Sequence, residues 1–133
     1  MTAQGLVTRE SRLSAAETLT RLQSEIKARG MSVFARIDHA AGAAAVGLAL
    51  RPTTLVIFGN AKAGTPLMQA NQAIGIDLPL KALVFEDEPG KVRLAYDDPH
   101  WLAGRHGLDA AFGKTLDAMA AALDAVVTKA TAP

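Results

Sequence analysis

The sequence predicts an α+β domain, and three observations carry the prediction. Five short segments show strand patterning, at residues 6–11, 31–37, 53–58, 80–86 and 91–97. The last two are joined by Asp87, Glu88, Pro89 and Gly90, a run of turn formers that makes them a hairpin. Helical periodicity follows the first strand and returns at the end of the chain. With 133 residues the chain is read as one domain over 1–133, its core at about 5–130, and a domain of that size buries about two-thirds of the surface its unfolded chain exposes.

Residues 6–11 form a short first strand. Ser14 and Glu17 then make a capping box, Leu19, Leu22 and Ile26 share one helical face, and Gly30 ends a helix over 14–29. Met31, Val33, Ala35 and Ile37 alternate with Ser32, Phe34, Arg36 and Asp38, the period of a strand with one buried face. The segment HAAGAAAVGLAL at 39–50 is alanine-rich, but Gly42 and Gly47 each weaken a helix by about 1 kcal/mol, so a short helix or an ordered turn is expected. Residues 53–58 are almost continuously apolar and suit a central strand.

Further on, Thr65 is the expected N-cap of a helix with Pro66 in its first position, running to about Ala73, and Gly75 and Pro79 bracket the way into the hairpin. Asp98 caps a short helix at Pro99 in the same manner. Gly107 separates that helix, around Trp101, from a long one expected to begin near Asp109. Phe112, Leu116, Met119, Leu123 and Val126 form the apolar stripe of the long helix. Ala110, Ala111, Ala118, Ala120, Ala121, Ala122 and Ala125 leave it a second, charge-poor face suited to a neighbouring subunit.

Composition excludes several classes of function. There are 14 basic and 13 acidic residues, a net charge of +1, and no polybasic run, so the electrostatic footprint of nucleic-acid binding is missing. Without cysteine there is no disulfide scaffold, thiolate zinc site or cysteine nucleophile. No uncharged apolar run approaches the roughly 20 residues of a membrane span, and no signal-like segment opens the sequence, so a cytoplasmic protein is expected. Half of the residues are hydrophobic and 20% charged, apolar for a small monomer, which points to a homodimer.

The stretch FGNAKAGT at 58–65 comes close to a phosphate-binding loop: an apolar strand runs into two glycines, Gly59 and Gly64, with a helix beyond. A phosphate loop needs lysine and then Ser or Thr directly after its second glycine. Thr65 and Pro66 stand there instead, so nucleotide hydrolysis is not expected. Free N–H groups at a helix start, with Lys62 close by, still suit a small anion. His100 and His106 are six apart, not the four of paired helical ligands, and His39 is remote, so no metal site is expected. Asp97 and Asp98 are adjacent and point to different sides of a strand; Asp98 most simply caps the Pro99 helix. Ser11, Ser14, Ser24 and Ser32 lack the context of a nucleophile elbow.

Taken together, FGNAKAGTPLM, DLPLK at 77–81 and the D-P-x-x-L-x-x-R-H pattern at 98–106, with RIDH at 36–39 and LRPTT at 50–54 upstream, resemble the domain of unknown function 302 family. The resemblance covers about 5–108. It departs at Ala61, where the family usually has proline, and at Asp97, where asparagine is common. It implies a β-α-β(4)-α arrangement of TATA-binding-protein-like architecture, with an antiparallel sheet carrying helices on one face, often as a homodimer. It implies no reaction and no DNA binding, since fold does not fix function.

The expected function is therefore binding of a small ligand or anion by a homodimeric domain without established catalysis, and without cofactor, metal, nucleic acid or membrane. Its ligand site is expected at Asn60, Lys62, Gly64, Thr65, Asp97, Asp98 and His106, with no catalytic residue assigned. A homodimeric scaffold and an acid-base enzyme are the alternative readings.

Overall fold

The computed structural model describes residues 3–133. Its five strands are β1 (Leu6–Ser11), β2 (Ser32–Asp38), β3 (Thr53–Gly59), β4 (Leu80–Glu88) and β5 (Lys91–Asp97). They form one antiparallel sheet in the order β1-β5-β4-β3-β2. The helices are α1 (Ala15–Ala28), α2 (His39–Ala45), α3 (Ala61–Ala70), α4 (Pro99–Arg105) and α5 (Gly113–Thr131), with a 3-10 turn at Gln72–Ile76.

Alternation along the strands decides which face is covered. Val56 and Phe58 of β3, Leu80, Ala82 and Val84 of β4, and Val92, Leu94 and Tyr96 of β5 turn to one side. There they meet Leu19, Leu22 and Ile26 of α1 and Leu123, Val126 and Val127 of α5 in a single core. The predicted α+β class with helices on one face is the observed architecture. A second cluster continues that core, where Leu67 of α3, Ile74, Ala103 of α4 and Leu108 pack on Leu116 of α5. Leu78 and Met119 touch both clusters.

Most caps form as the sequence predicts. Ser14 Oγ accepts from Glu17 N–H at 3.1 Å, and Asp98 Oδ1 accepts from His100 N–H at 3.0 Å. The ambiguous alanine segment resolves into the short helix α2, capped by Asp38, followed by a turn at Gly47 with φ +77°.

Three elements differ in their bounds from expectation, and α3, expected to run to about Ala73, also ends early, at Ala70 before the 3-10 turn. Helix α3 starts at Ala61, not after Thr65, because Asn60 caps it: Asn60 Oδ1 accepts from Ala63 N–H at 2.9 Å. Pro66 is then its sixth residue, where proline removes a backbone hydrogen bond. Helix α5 starts at Gly113 without a side-chain cap, and the residues from Asp109 to Phe112 are turns. Strand β4 continues to Glu88, through an irregularity in its pairing with β5 between Glu86 and Glu88, so the hairpin tightens to Pro89 and Gly90.

Candidate functional site

A cavity of about 670 Å³ opens at the sheet end where β2 begins, β3 finishes and β4 starts. Met31 and Phe34 enter it from the start of β2, where a bulge between Val33 and Ala35 breaks the regular alternation. Gly59, Asn60 and the first turns of α3 supply another wall, through Ala63, Gly64, Thr65 and Met68. Leu78, Pro79 and Leu80 close a third side, with a cis bond between Leu78 and Pro79. The last wall is α5, which contributes Thr115, Ala118, Met119, Ala122 and Leu123.

Small residues make this space. Ala118 and Ala122 lie one helical turn apart on the same side of α5, so the methyl groups that leave this helix poor in charge also leave room for a guest. The lining is mainly apolar, and Arg29, at the C-terminal cap of α1, is its one charged side chain. Among the described residues the Arg29 guanidinium has no hydrogen bond or ion pair. Of the backbone N–H groups that begin α3, those of Ala63 and Gly64 donate to Asn60, and those of Ala61 and Lys62 have no acceptor within the helix.

The predicted site residues divide into two groups. Asn60, Gly64 and Thr65 line the cavity, whereas Lys62, Asp97, Asp98 and His106 do not. Lys62 lies exposed on the first turn of α3. The residues from Ala61 to Thr65 are helical, so no open loop is present to wrap a phosphate. Asp97 pairs with Leu6 across the β1–β5 ladder. Asp98 caps α4, and its N–H donates to Gly5 O at 2.8 Å. Both aspartates sit at the same end of the sheet as Gly59, with β4 between them and β3.

His106 belongs to a separate cluster that ties α4 to the segment before β4. Its Nε2 donates to Asp77 Oδ2 at 2.5 Å, and Arg105 Nη1 reaches both oxygens of the same carboxylate at 2.9 Å. Asn71 Nδ2 donates to His106 O at 3.1 Å. Burial alone would raise the Asp77 pKa, but the hydrogen bond from His106 and the charge of Arg105 outweigh it and hold the carboxyl below its ordinary range. His100 pairs with Asp117 of α5 at 2.9 Å, and His39 is exposed at the start of α2. Among the described residues no group of three or more His, Asp or Glu side chains is placed to hold a metal ion.

Arg29, Met31, Phe34 and the α5 wall escape a reading of the sequence. Each looks locally like a helix end, a strand residue or part of a packing stripe, and only the tertiary fold brings them together.

Among the described residues no helix is long and apolar enough to cross a membrane. Two curated relatives carry the name fluoride-specific ion channel FluC 1. The chain is 53% identical over 115 residues to the protein of Brucella suis biovar 1 (strain 1330), covering 86% of this chain and 45% of that one. It is equally similar to the protein of Brucella abortus biovar 1 (strain 9-941), covering 43% of its length. The chain thus spans less than half of these relatives. A crystal structure of an uncharacterized conserved protein from Bacillus stearothermophilus superposes with a TM-score of 0.85 at 22% identity, covering 96% of this chain and 99% of that one, which establishes the shared fold. The family model described as domain of unknown function DUF302 matches residues 7–126, and this chain belongs to that family.

Proposed function

We propose that this domain binds a small, largely apolar molecule in the cavity between β2, α3 and α5. The observation that carries the reading is the cavity itself. At about 670 Å³ it falls within the roughly 300–1,000 Å³ typical of small-molecule sites, and its apolar walls surround a few polar groups. Three of the chain's four methionines, Met31, Met68 and Met119, line it, and their flexible thioethers adapt to a guest. In this reading Asn60, Gly64 and Thr65, which line the cavity, contribute to the site, and Arg29 takes the role expected of Lys62. No reaction is assigned.

The same methionines supply the test. With ¹³C-labelled methionine methyls, a library of small apolar compounds screened by NMR is expected to shift Met31, Met68 and Met119 together and saturably. Ala122→Phe, which fills the cavity from α5, is expected to abolish the response. Hits that move none of the three methyls, or that bind Ala122→Phe unchanged, would refute the assignment.

The longer Brucella relatives fit this reading. We take the channel activity in their name to reside in the part that this chain does not match, and the matched part to be a ligand-binding module joined to it. A domain without cysteine requires no oxidising compartment, in keeping with action in the cytoplasm.

Homodimerisation is a second element of the proposal, favoured by a specific surface. Ile37, Val46, Leu48 and Leu50 are exposed large apolar residues of β2 and the segment after α2. Ile37 pairs with Leu55 and so lies on the sheet face turned away from α1 and α5, where Leu55 and Ile57 of β3 and Leu83 and Phe85 of β4 are only partly covered. A second copy of the chain presents the same patch, as a two-fold interface requires.

A further inference from the structure

Resting on the cavity reading above, we infer that the ligand is an amphipathic monoanion: an apolar tail inside the cavity and one acidic head, a carboxylate, held by Arg29. The lining contains a single charged side chain, that of Arg29, and no Asp or Glu. Arg29 is exposed at the mouth of the cavity, where it offers a positive charge to the polar end of a guest whose apolar part lies inside. A carboxylate suits that position, because its two oxygens match the planar fork of arginine.

The other polar groups of the lining agree in sign. Asn60 uses its Oδ1 to accept from Ala63 N–H, so the part of the amide left to a ligand is the Nδ2 donor. Thr65 and Thr115 add hydroxyl groups, which donate as readily as they accept. The N-terminal turn of α3 forms one wall, and the positive end of its dipole adds to the field of Arg29. No acidic side chain of the lining opposes them. The tail has correspondingly apolar company in Met31, Met68, Leu78, Met119 and Leu123.

The test compares octanoate with octanol, which share a tail and differ in charge, by titrating each below its aggregation limit into the methionine-labelled protein. Octanoate is expected to shift the methyls of Met31, Met68 and Met119 and to bind at least tenfold more tightly than octanol. Arg29→Met is expected to abolish that preference while leaving octanol binding within about twofold of the parent. Arg29→Gln, which keeps a polar donor without the charge, serves as a second variant, and the melting temperature of each confirms folding. If octanol matches octanoate on the parent, or if both Arg29 variants keep the preference, the anion assignment is wrong and the cavity reading stands. If neither compound moves any of the three methyls, both fail.

Discussion

The indole of Trp101 lies against the backbone of Gly5 so closely that a Cβ on Gly5 would stand 2.2–2.6 Å from three ring carbons. Gly5 also has φ +75°, a conformation that L side chains resist. Contact and dihedral act together where the chain enters β1, next to the hydrogen bond from Asp98 N–H to Gly5 O. Gly5→Ala is therefore expected to lower unfolding free energy by about 2–4 kcal/mol, from the left-handed conformation and from overpacking. In a Trp101→Ala background only the conformational part remains, about 1–2 kcal/mol. Urea denaturation of the four proteins gives the coupling; equal costs in both backgrounds would show that the ring is not the obstacle.

Asn60, rather than Thr65, begins α3, and the two sites separate cleanly by mutation. Removing an N-cap costs about 1 kcal/mol, so Asn60→Ala is expected to reduce stability by that amount. Thr65→Ala, which touches an exposed side chain inside the helix, is expected to stay within about 0.5 kcal/mol of the parent. The reverse order would restore the helix start that the Thr65–Pro66 pair suggests.

That pair illustrates what could be read in advance. Ser14 with Glu17 and Asp98 with Pro99 are signals contained within a few residues, and each matches the element it predicts. The alternation from Met31 to Ile37 does mark a strand, but the bulge between Val33 and Ala35 turns Ala35 and Ile37 to the outer face, so the single buried face expected of it does not form. The run Asp87–Gly90 does mark the hairpin, with its turn confined to Pro89 and Gly90. Thr65–Pro66 carries an equally local signal, but Asn60 offers a competing cap five residues before Thr65, and the hydrogen bond to Ala63 decides the outcome. The lining of the candidate cavity is legible in the sequence only in part. Asn60, Gly64 and Thr65 belong to one continuous segment. Arg29 and the Ala118–Ala122 wall reach the cavity from two other helices, and no spacing in the sequence encodes that meeting. Asp97, Asp98 and His106 attract notice by residue type, and the fold employs Asp98 as a cap and His106 as the partner of Asp77.

The cluster of Asp77, Arg105 and His106 predicts an acid-side loss of stability. A carboxylate whose folded pKa lies below its ordinary value of 3.8 stabilises the folded state fully above that value and loses its contribution as pH falls through the lowered folded pKa. At pH 7, Asp77→Asn is expected to cost about 1–2 kcal/mol, since it removes a largely buried acceptor shared by two donors. The difference between parent and variant should shrink as pH is lowered below about 3.8. Urea midpoints of both proteins at pH 7 and at pH 3 check this, and a gap that is constant with pH would rule out the carboxylate's charge as its source.

The apolar patch on β2 and the segment after α2 predicts the state of assembly. Val46 is 71% exposed, Leu48 66% and Ile37 41%, and an isolated chain would present them to water. Exposed apolar residues grouped on neighbouring segments mark an interaction site more often than scattered single ones do. Light scattering at low micromolar concentration is expected to give about twice the chain mass of 13.9 kDa. Ile37→Glu combined with Leu48→Glu places two like charges on each side of a two-fold contact, so the dimer should separate into monomers. The fold itself should be spared, because exposed substitutions cost little within one chain. Should the doubly substituted protein remain a dimer, the contact must lie elsewhere, and the exposed faces of α5 would be the next to substitute; a parent that is monomeric throughout would leave the patch without a second copy.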